Sequence, residues 1–106
     1  MAVILATDND FTQVLNSNQR VVVKYYADWC GSCRLFSPKF KRMSDDEAFD
    51  GIAFVDVNAE TSPEARKLAN VTNLPFFAVF KNGQLVDSVA ASKEEAVREL
   101  IHKLDA

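Results

Sequence analysis

The chain has 106 residues, 48% of them apolar and 25% charged, and a formal net charge of −3. That length and balance suit a single domain, 1–106, with a core of its own, and they exclude disorder. The basic residues are scattered, with Lys39, Lys41 and Arg42 the longest cluster, and no apolar run approaches the ~20 residues of a membrane span. Neither nucleic acid nor membrane is therefore an expected partner.

Met1 to Asp10 lacks a basic n-region and turns acidic by Asp8, which reads as no signal peptide and makes a cytoplasmic location the expectation. Ala2 to Ala6 is a short buried strand, and Thr7 or Asp8 caps a helix with Phe11, Val14 and Leu15 on one face. Val21 to Ala27 is apolar on both faces except at Lys24, the pattern of a central strand covered on both sides. Cys33 to about Phe49 reads as a helix burying Phe36, Phe40 and Met43, with a kink expected at Pro38. Its acidic end (Asp45, Asp46, Glu47, Asp50) reads as solvated.

Ile52 to Asn58 is a third strand. Thr61 to Glu64, with Pro63 in the first turn, starts a helix that buries Ala65, Leu68 and Ala69. Phe76 to Phe80 and Gln84 to Val89 flank Asn82-Gly83, the chain's strongest hairpin signal, because a type I′ turn needs positive φ twice. Ser92 to Glu95 has the spacing of a capping box before a last helix with Val97, Leu100, Ile101 and Leu104 facing in. The order βαβαβαββα predicts an α/β fold: a three-layer α/β/α sandwich around a mixed sheet of about five strands, with four helices.

The chain has two cysteines, Cys30 and Cys33. A loop so short constrains the denatured state little, so the pair points to chemistry and not to a staple. Both lie where the second strand gives way to the second helix. A thiol of pKa near 8.5 is about 3% ionised at pH 7. A helix N-terminus contributes up to about 2 kcal/mol to an anion there, which brings Cys30 to about half ionised. Such a thiol suits attack on a disulfide and departure from one. Cys33, one turn further in and more buried, is placed to resolve the mixed disulfide. Gly31 allows a tight turn beside the sulfur.

Trp29-Cys30-Gly31-Ser32-Cys33-Arg34 between strand and helix, Pro38, Leu74-Pro75-Phe76 opening a strand, and Phe80-Lys81-Asn82-Gly83 in the hairpin together resemble the thioredoxin family over essentially the whole chain. The resemblance implies the thioredoxin fold and a protein dithiol–disulfide oxidoreductase, with Cys30 attacking and Cys33 resolving. Trp29 then shields the disulfide and lines the docking surface. Pro75 is a cis-proline facing the cysteines, Leu74 pairs its backbone with an extended substrate, and Phe76 belongs to the substrate groove. The implied partners are disulfide-containing client proteins and an NADPH-dependent thioredoxin reductase or another dithiol donor, with no cofactor bound beyond the Cys30–Cys33 disulfide.

Three departures matter. Ser32 stands where the family has proline, restoring a backbone donor beside Cys30 and predicting a less reducing couple. Lys24 occupies the position of the family's buried aspartate and Phe54 that of its lysine, so the usual carboxylate base for the resolving thiol is missing. Lys24 either snorkels its ammonium out of the sheet, or lies buried near Cys33 and modulates its ionisation and the potential. Finally, Val89 to Ser92 lacks the family's groove glycine, and with Phe76 and Phe77 nearby it predicts a crowded, apolar groove.

Other readings of these residues are weaker. Structural zinc needs four ligands, and a single pair plus a distant His102 does not supply them. Asp28, Arg34 and His102 read as surface; Phe11, Phe36, Phe40, Phe54 and Phe80 read as core. A binding module presenting Trp29, Leu74 and Phe76 with secondary redox activity is the alternative function, and an isomerase- or oxidant-leaning enzyme is a variant of the first.

Overall fold

A computed structural model describes residues 2–105. Strand β1 (Ile4–Ala6) leads through α1 (Phe11–Ser17) to β2 (Arg20–Tyr26), α2 (Gly31–Ser44) and β3 (Ala53–Asn58). Helix α3 (Pro63–Ala69), β4 (Phe76–Lys81), β5 (Gln84–Ala90) and α4 (Glu94–His102) complete the order expected from the apolar pattern. The five strands form one sheet in the order β1-β3-β2-β4-β5. The first three run parallel, while β4 runs antiparallel to β2 and β5 antiparallel to β4.

Strand alternation divides the core in two. Val21, Val23 and Tyr25 point to the face covered by Phe11 and Leu15 of α1 and by Ala65 and Ala69 of α3. Val22, Phe54, Phe77 and Val79 point to the other, where they meet Phe36, Phe40 and Met43 of α2 and Val97, Leu100 and Ile101 of α4. Phe40 sits at the centre of this second layer, with its ring 5.1 Å from Phe54 and 5.9 Å from Phe77. Each such buried ring contributes on the order of 2 kcal/mol. Lys24 has the parity of Val22, so its side chain enters the α2 layer.

Several local expectations are corrected. The first strand is shorter than Ala2 to Ala6 and lies at the sheet edge, leaving Leu5 65% exposed instead of buried. Helix α1 begins after Asp10, whose carboxylate accepts the N–H of Thr7. Asp8 caps a different helix: its carboxylate accepts the N–H groups of Glu64 (3.1 Å) and Ala65 (2.9 Å) at the start of α3. On that helix Leu68 is half-exposed, so Ala65 and Ala69 alone form its buried face.

Helix α2 starts two residues before Cys33, runs on over Pro38 and stops at Ser44, with Glu47–Phe49 a separate 3-10 turn. The acidic segment after it is less solvated than expected, because Asp46 pairs with Arg98 at 3.4 Å. The capping box at Ser92 is out of register. Lys93 is the residue at the cap of α4, so Glu95 falls one position short of the reciprocal bond, and Glu94 instead binds Arg98 at 2.8 Å. The hairpin forms as expected, with Asn82 at φ 52° and Gly83 at φ 81°.

Candidate active site

The site is built on the junction between β2 and α2. Cys30 is the N-cap of α2, and its sulfur accepts the N–H of Cys33 at 3.2 Å. It therefore occupies the place where a helix leaves backbone donors unpaired and its dipole favours negative charge. Cys30 and Cys33 form a disulfide with Cα atoms 5.3 Å apart. Both residues are buried, Cys33 (2% exposed) only slightly more than Cys30 (5%). What distinguishes them is the cap position of Cys30 more than access.

Trp29 is 67% exposed beside the disulfide. The loop holding it is tied down by the Cys30 N–H on the Ala27 carbonyl (3.1 Å) and by Arg34, which donates to the Asp28 carbonyl at 3.1 Å. Arg34 is exposed, as expected, and also anchors the loop. Ser32 acts through its side chain: the hydroxyl lies 3.6 Å from Cys30 Sγ, whereas the backbone donor to that sulfur belongs to Cys33. The expected extra donor at Ser32 is therefore a hydroxyl. A Cβ at Gly31 would meet nothing within 4 Å, and Gly31 is not among the positive-φ glycines, so crowding does not require glycine there.

The Leu74–Pro75 peptide is cis. Leu74 packs against Ala27, Cys30 and Cys33. Leu74, Pro75, Ser32, Ala90 and Ala91 help line a groove of about 210 Å3 beside the disulfide. Phe76 does not line it. Its ring is buried on the α1/α3 side, 6.3 Å from Tyr25, and Phe77 is buried on the opposite side, 4.9 Å from Phe36. The small side chains of Ala90 and Ala91, not phenylalanines, border the groove. In addition Ala91 donates its N–H to the Pro75 carbonyl at 3.2 Å, which joins its two walls.

Lys24 is 1% exposed, which excludes snorkelling. Its ammonium donates to Ser37 Oγ at 2.6 Å and lies 3.5 Å from Asp56 Oδ1. The rings of Phe40 and Tyr26 flank it at 5.4 and 5.7 Å from their centroids. Ser37 in turn donates to the Cys33 carbonyl at 3.3 Å, so two hydrogen bonds link the ammonium to the Cys33 backbone. Burial pushes Lys24 down from 10.5 while Asp56 pulls it up; burial pushes Asp56 up from 3.8 while Lys24 pulls it down.

A carboxylate is thus present behind the disulfide after all, on β3 with the lysine on β2. The in-register partner of Lys24 is Asp56 and not Phe54, so relative to the expected pattern the acidic and basic residues have exchanged strands. Asp56 and Ser37 are the site residues that sequence reasoning missed. The available signal was a basic residue inside one apolar strand and an acidic residue inside the next, and a serine four residues after Cys33 on one helix face. Among the described residues, no group of three or more His, Cys, Asp or Glu could hold a metal ion, and no helix is long and apolar enough to cross a membrane.

The family model for thioredoxin matches residues 2–104. Thioredoxin 1 of Plasmodium falciparum is 29% identical over 106 residues, covering 100% of both chains. The thioredoxin of Mycobacterium bovis is 34% identical over 102 residues, covering 93% of this chain and 87% of its own. Among solved structures, reduced thioredoxin pre-protein of Schistosoma mansoni superposes with a TM-score of 0.87 at 32% identity, covering 98% of this chain and 99% of its own.

Proposed function

The chain belongs to the thioredoxin family and is a protein dithiol–disulfide oxidoreductase; from that premise we propose how its residues divide the reaction. Cys30 attacks a client disulfide. One new bond joins Cys30 Sγ to a client sulfur, and the other client sulfur leaves as a thiolate. Cys33 then attacks Cys30 Sγ, the bond from Cys30 to the client breaks, and the second client thiolate leaves. Two electrons have passed from the Cys30–Cys33 dithiol to the client. The observation that carries this order is the N-cap placement of Cys30, whose sulfur already accepts an N–H bond that strengthens when the sulfur is an anion.

The groove between Ser32, Leu74, Pro75 and Ala91 takes the client backbone, and the exposed Trp29, next to Cys30 in the chain, contributes an apolar contact outside it. Lys24 modulates the resolving thiol from behind. A dithiol donor regenerates the reduced pair, an NADPH-dependent thioredoxin reductase by family, with no cofactor on this chain and a cytoplasmic setting. The test is a Cys33→Ser variant, which should accumulate mixed disulfides with clients through Cys30. Wild-type client binding with no trapped species in that variant would instead support a binding module.

A further inference from the structure

The Lys24–Asp56 pair has a consequence for the second chemical step. It rests on the reading of Cys33 as the resolving thiol. Lys24 Nζ spends its short hydrogen bond on Ser37, toward Cys33, and faces Asp56 at ion-pair distance on the other side. The two carboxylate and ammonium ends are not equally wet. The Asp56 side chain is 26% exposed and borders a surface cavity with Ser37, Lys41 and Val3, while the lysine is sealed. Cys33 and Ser37 share a second cavity, of about 250 Å3, with Tyr26, Asp28 and Arg34.

We propose that Asp56 is a positioning residue for the resolving step: it holds Lys24 as a buried ammonium behind Cys33, so that Cys33 ionises to the cavity and attacks under the field of that cation.

The charges around the lysine support this division of labour. From β3 it faces Asp56, and from α2 it faces Ser37 and the ring of Phe40. From β2 itself it faces Tyr26, whose hydroxyl burial keeps neutral, and from β4 its cross-strand neighbour is Phe77. Asp28 and Arg34 border the Cys33 cavity with opposite charges, and Lys41 borders the Asp56 cavity. Among the groups facing the ammonium, Asp56 is therefore the anion. Without it, burial drives the lysine toward its neutral form. With it, a unit positive charge stands two hydrogen bonds from the Cys33 backbone, and a buried cation that near favours the thiolate by on the order of one pH unit.

The step balances without a further reactant. The Cys33 thiol releases its proton to water in the cavity. Its thiolate then forms the bond to Cys30 Sγ, the Cys30–client bond breaks, and the departing client thiolate takes a proton from solvent. Asp56 and Lys24 keep their protonation states throughout.

Stopped-flow mixing of the reduced protein with excess aromatic disulfide separates the two attacks. The first thiolate release depends on reagent concentration and reports Cys30; the second does not and reports Cys33. Asp56→Asn should raise the pH midpoint of the second phase by about one unit and slow it about tenfold at pH 7. It should leave the first phase unchanged, and Asp56→Glu should restore the second. The Lys24→Met/Asp56→Leu double variant, which removes both charges and exchanges them for apolar volume, should match Asp56→Asn, and it decides the matter if Asp56→Asn fails to fold. An unchanged second-phase profile in that double variant overturns the proposal. A Cys33→Ser protein that retains no mixed disulfide overturns the underlying reading instead.

Discussion

Lys24 and Asp56 stand opposite each other in register on β2 and β3, with Nζ 3.5 Å from Oδ1. The two ends of this pair are unequal: the lysine is 1% exposed and the aspartate 26%. Losing one partner strands a charge that is sealed in the first case and able to hydrate in the second.

Asp56→Asn should therefore cost more than Lys24→Met, about 3 kcal/mol against about 1, measured by urea unfolding at pH 7. The pH dependences should differ in sign. In Asp56→Asn, burial holds the folded Lys24 below its ordinary 10.5. Between those two values the unfolded chain binds the extra proton, so stability rises with pH. In Lys24→Met, burial holds the folded Asp56 above its ordinary 3.8. Between those values the folded chain binds the extra proton, so stability falls as pH rises. Equal costs and parallel pH profiles would show that the asymmetry in burial does not govern the pair.

The hydroxyl of Ser32, 3.6 Å from Cys30 Sγ, gains strength as a donor when reduction leaves a thiolate there. Removing it destabilises the reduced form. Ser32→Ala should lower the reduction potential by about 30 mV, the equivalent of one charge-assisted hydrogen bond of about 1.4 kcal/mol. Ser32→Pro should move it by a similar amount, because the backbone donor to the sulfur belongs to Cys33. Glutathione titration of the three proteins checks this; a large drop in Ser32→Pro with none in Ser32→Ala would return the effect to the Ser32 backbone.

The element order, the sheet and the Cys30 cap were legible because each rests on local chemistry: alternation, an Asn-Gly turn, a motif at a strand end. What was not legible depends on distant partners or on small shifts of register. Asp8 is a good capping residue just ahead of α1, yet it lies two positions before that helix's cap and instead caps α3, 56 positions away in sequence. A start one residue later at α4 defeats the box at Ser92. Phe76 follows the groove proline in sequence, but strand alternation turns its ring into the core. Lys24 read as an isolated anomaly because its partner lies on another strand, and a strand pattern does not reveal register.

The long reach of Asp8 makes its own prediction. Its carboxylate satisfies two of the otherwise unpaired N–H groups at the start of α3, a helix whose own Ser62 makes no side-chain cap and keeps its hydroxyl buried without a hydrogen bond. Asp8→Ala should cost about 1 kcal/mol and Asp8→Asn less. In a domain of this size that is a drop of roughly 4–8 °C in Tm for the alanine variant. A shift confined to α1 amide exchange, with α3 unaffected, would place the cap on the wrong helix.

Trp29 offers the sharpest separation of docking from chemistry. With two-thirds of its surface exposed, it contributes little to the core, so Trp29→Ala should change stability by no more than about 0.5 kcal/mol. An exposed indole beside a reactive disulfide is, however, the type of side chain that dominates protein contacts when a partner covers it. Turnover of a protein disulfide should show KM raised about tenfold with kcat nearly unchanged, the signature of lost uniform binding. A small aromatic disulfide, too short to reach the indole, should react with Cys30 at the wild-type rate. Equal losses on both substrates would mean that Trp29 acts on the sulfur itself, and its exposure beside Cys30 would then be incidental to client recognition.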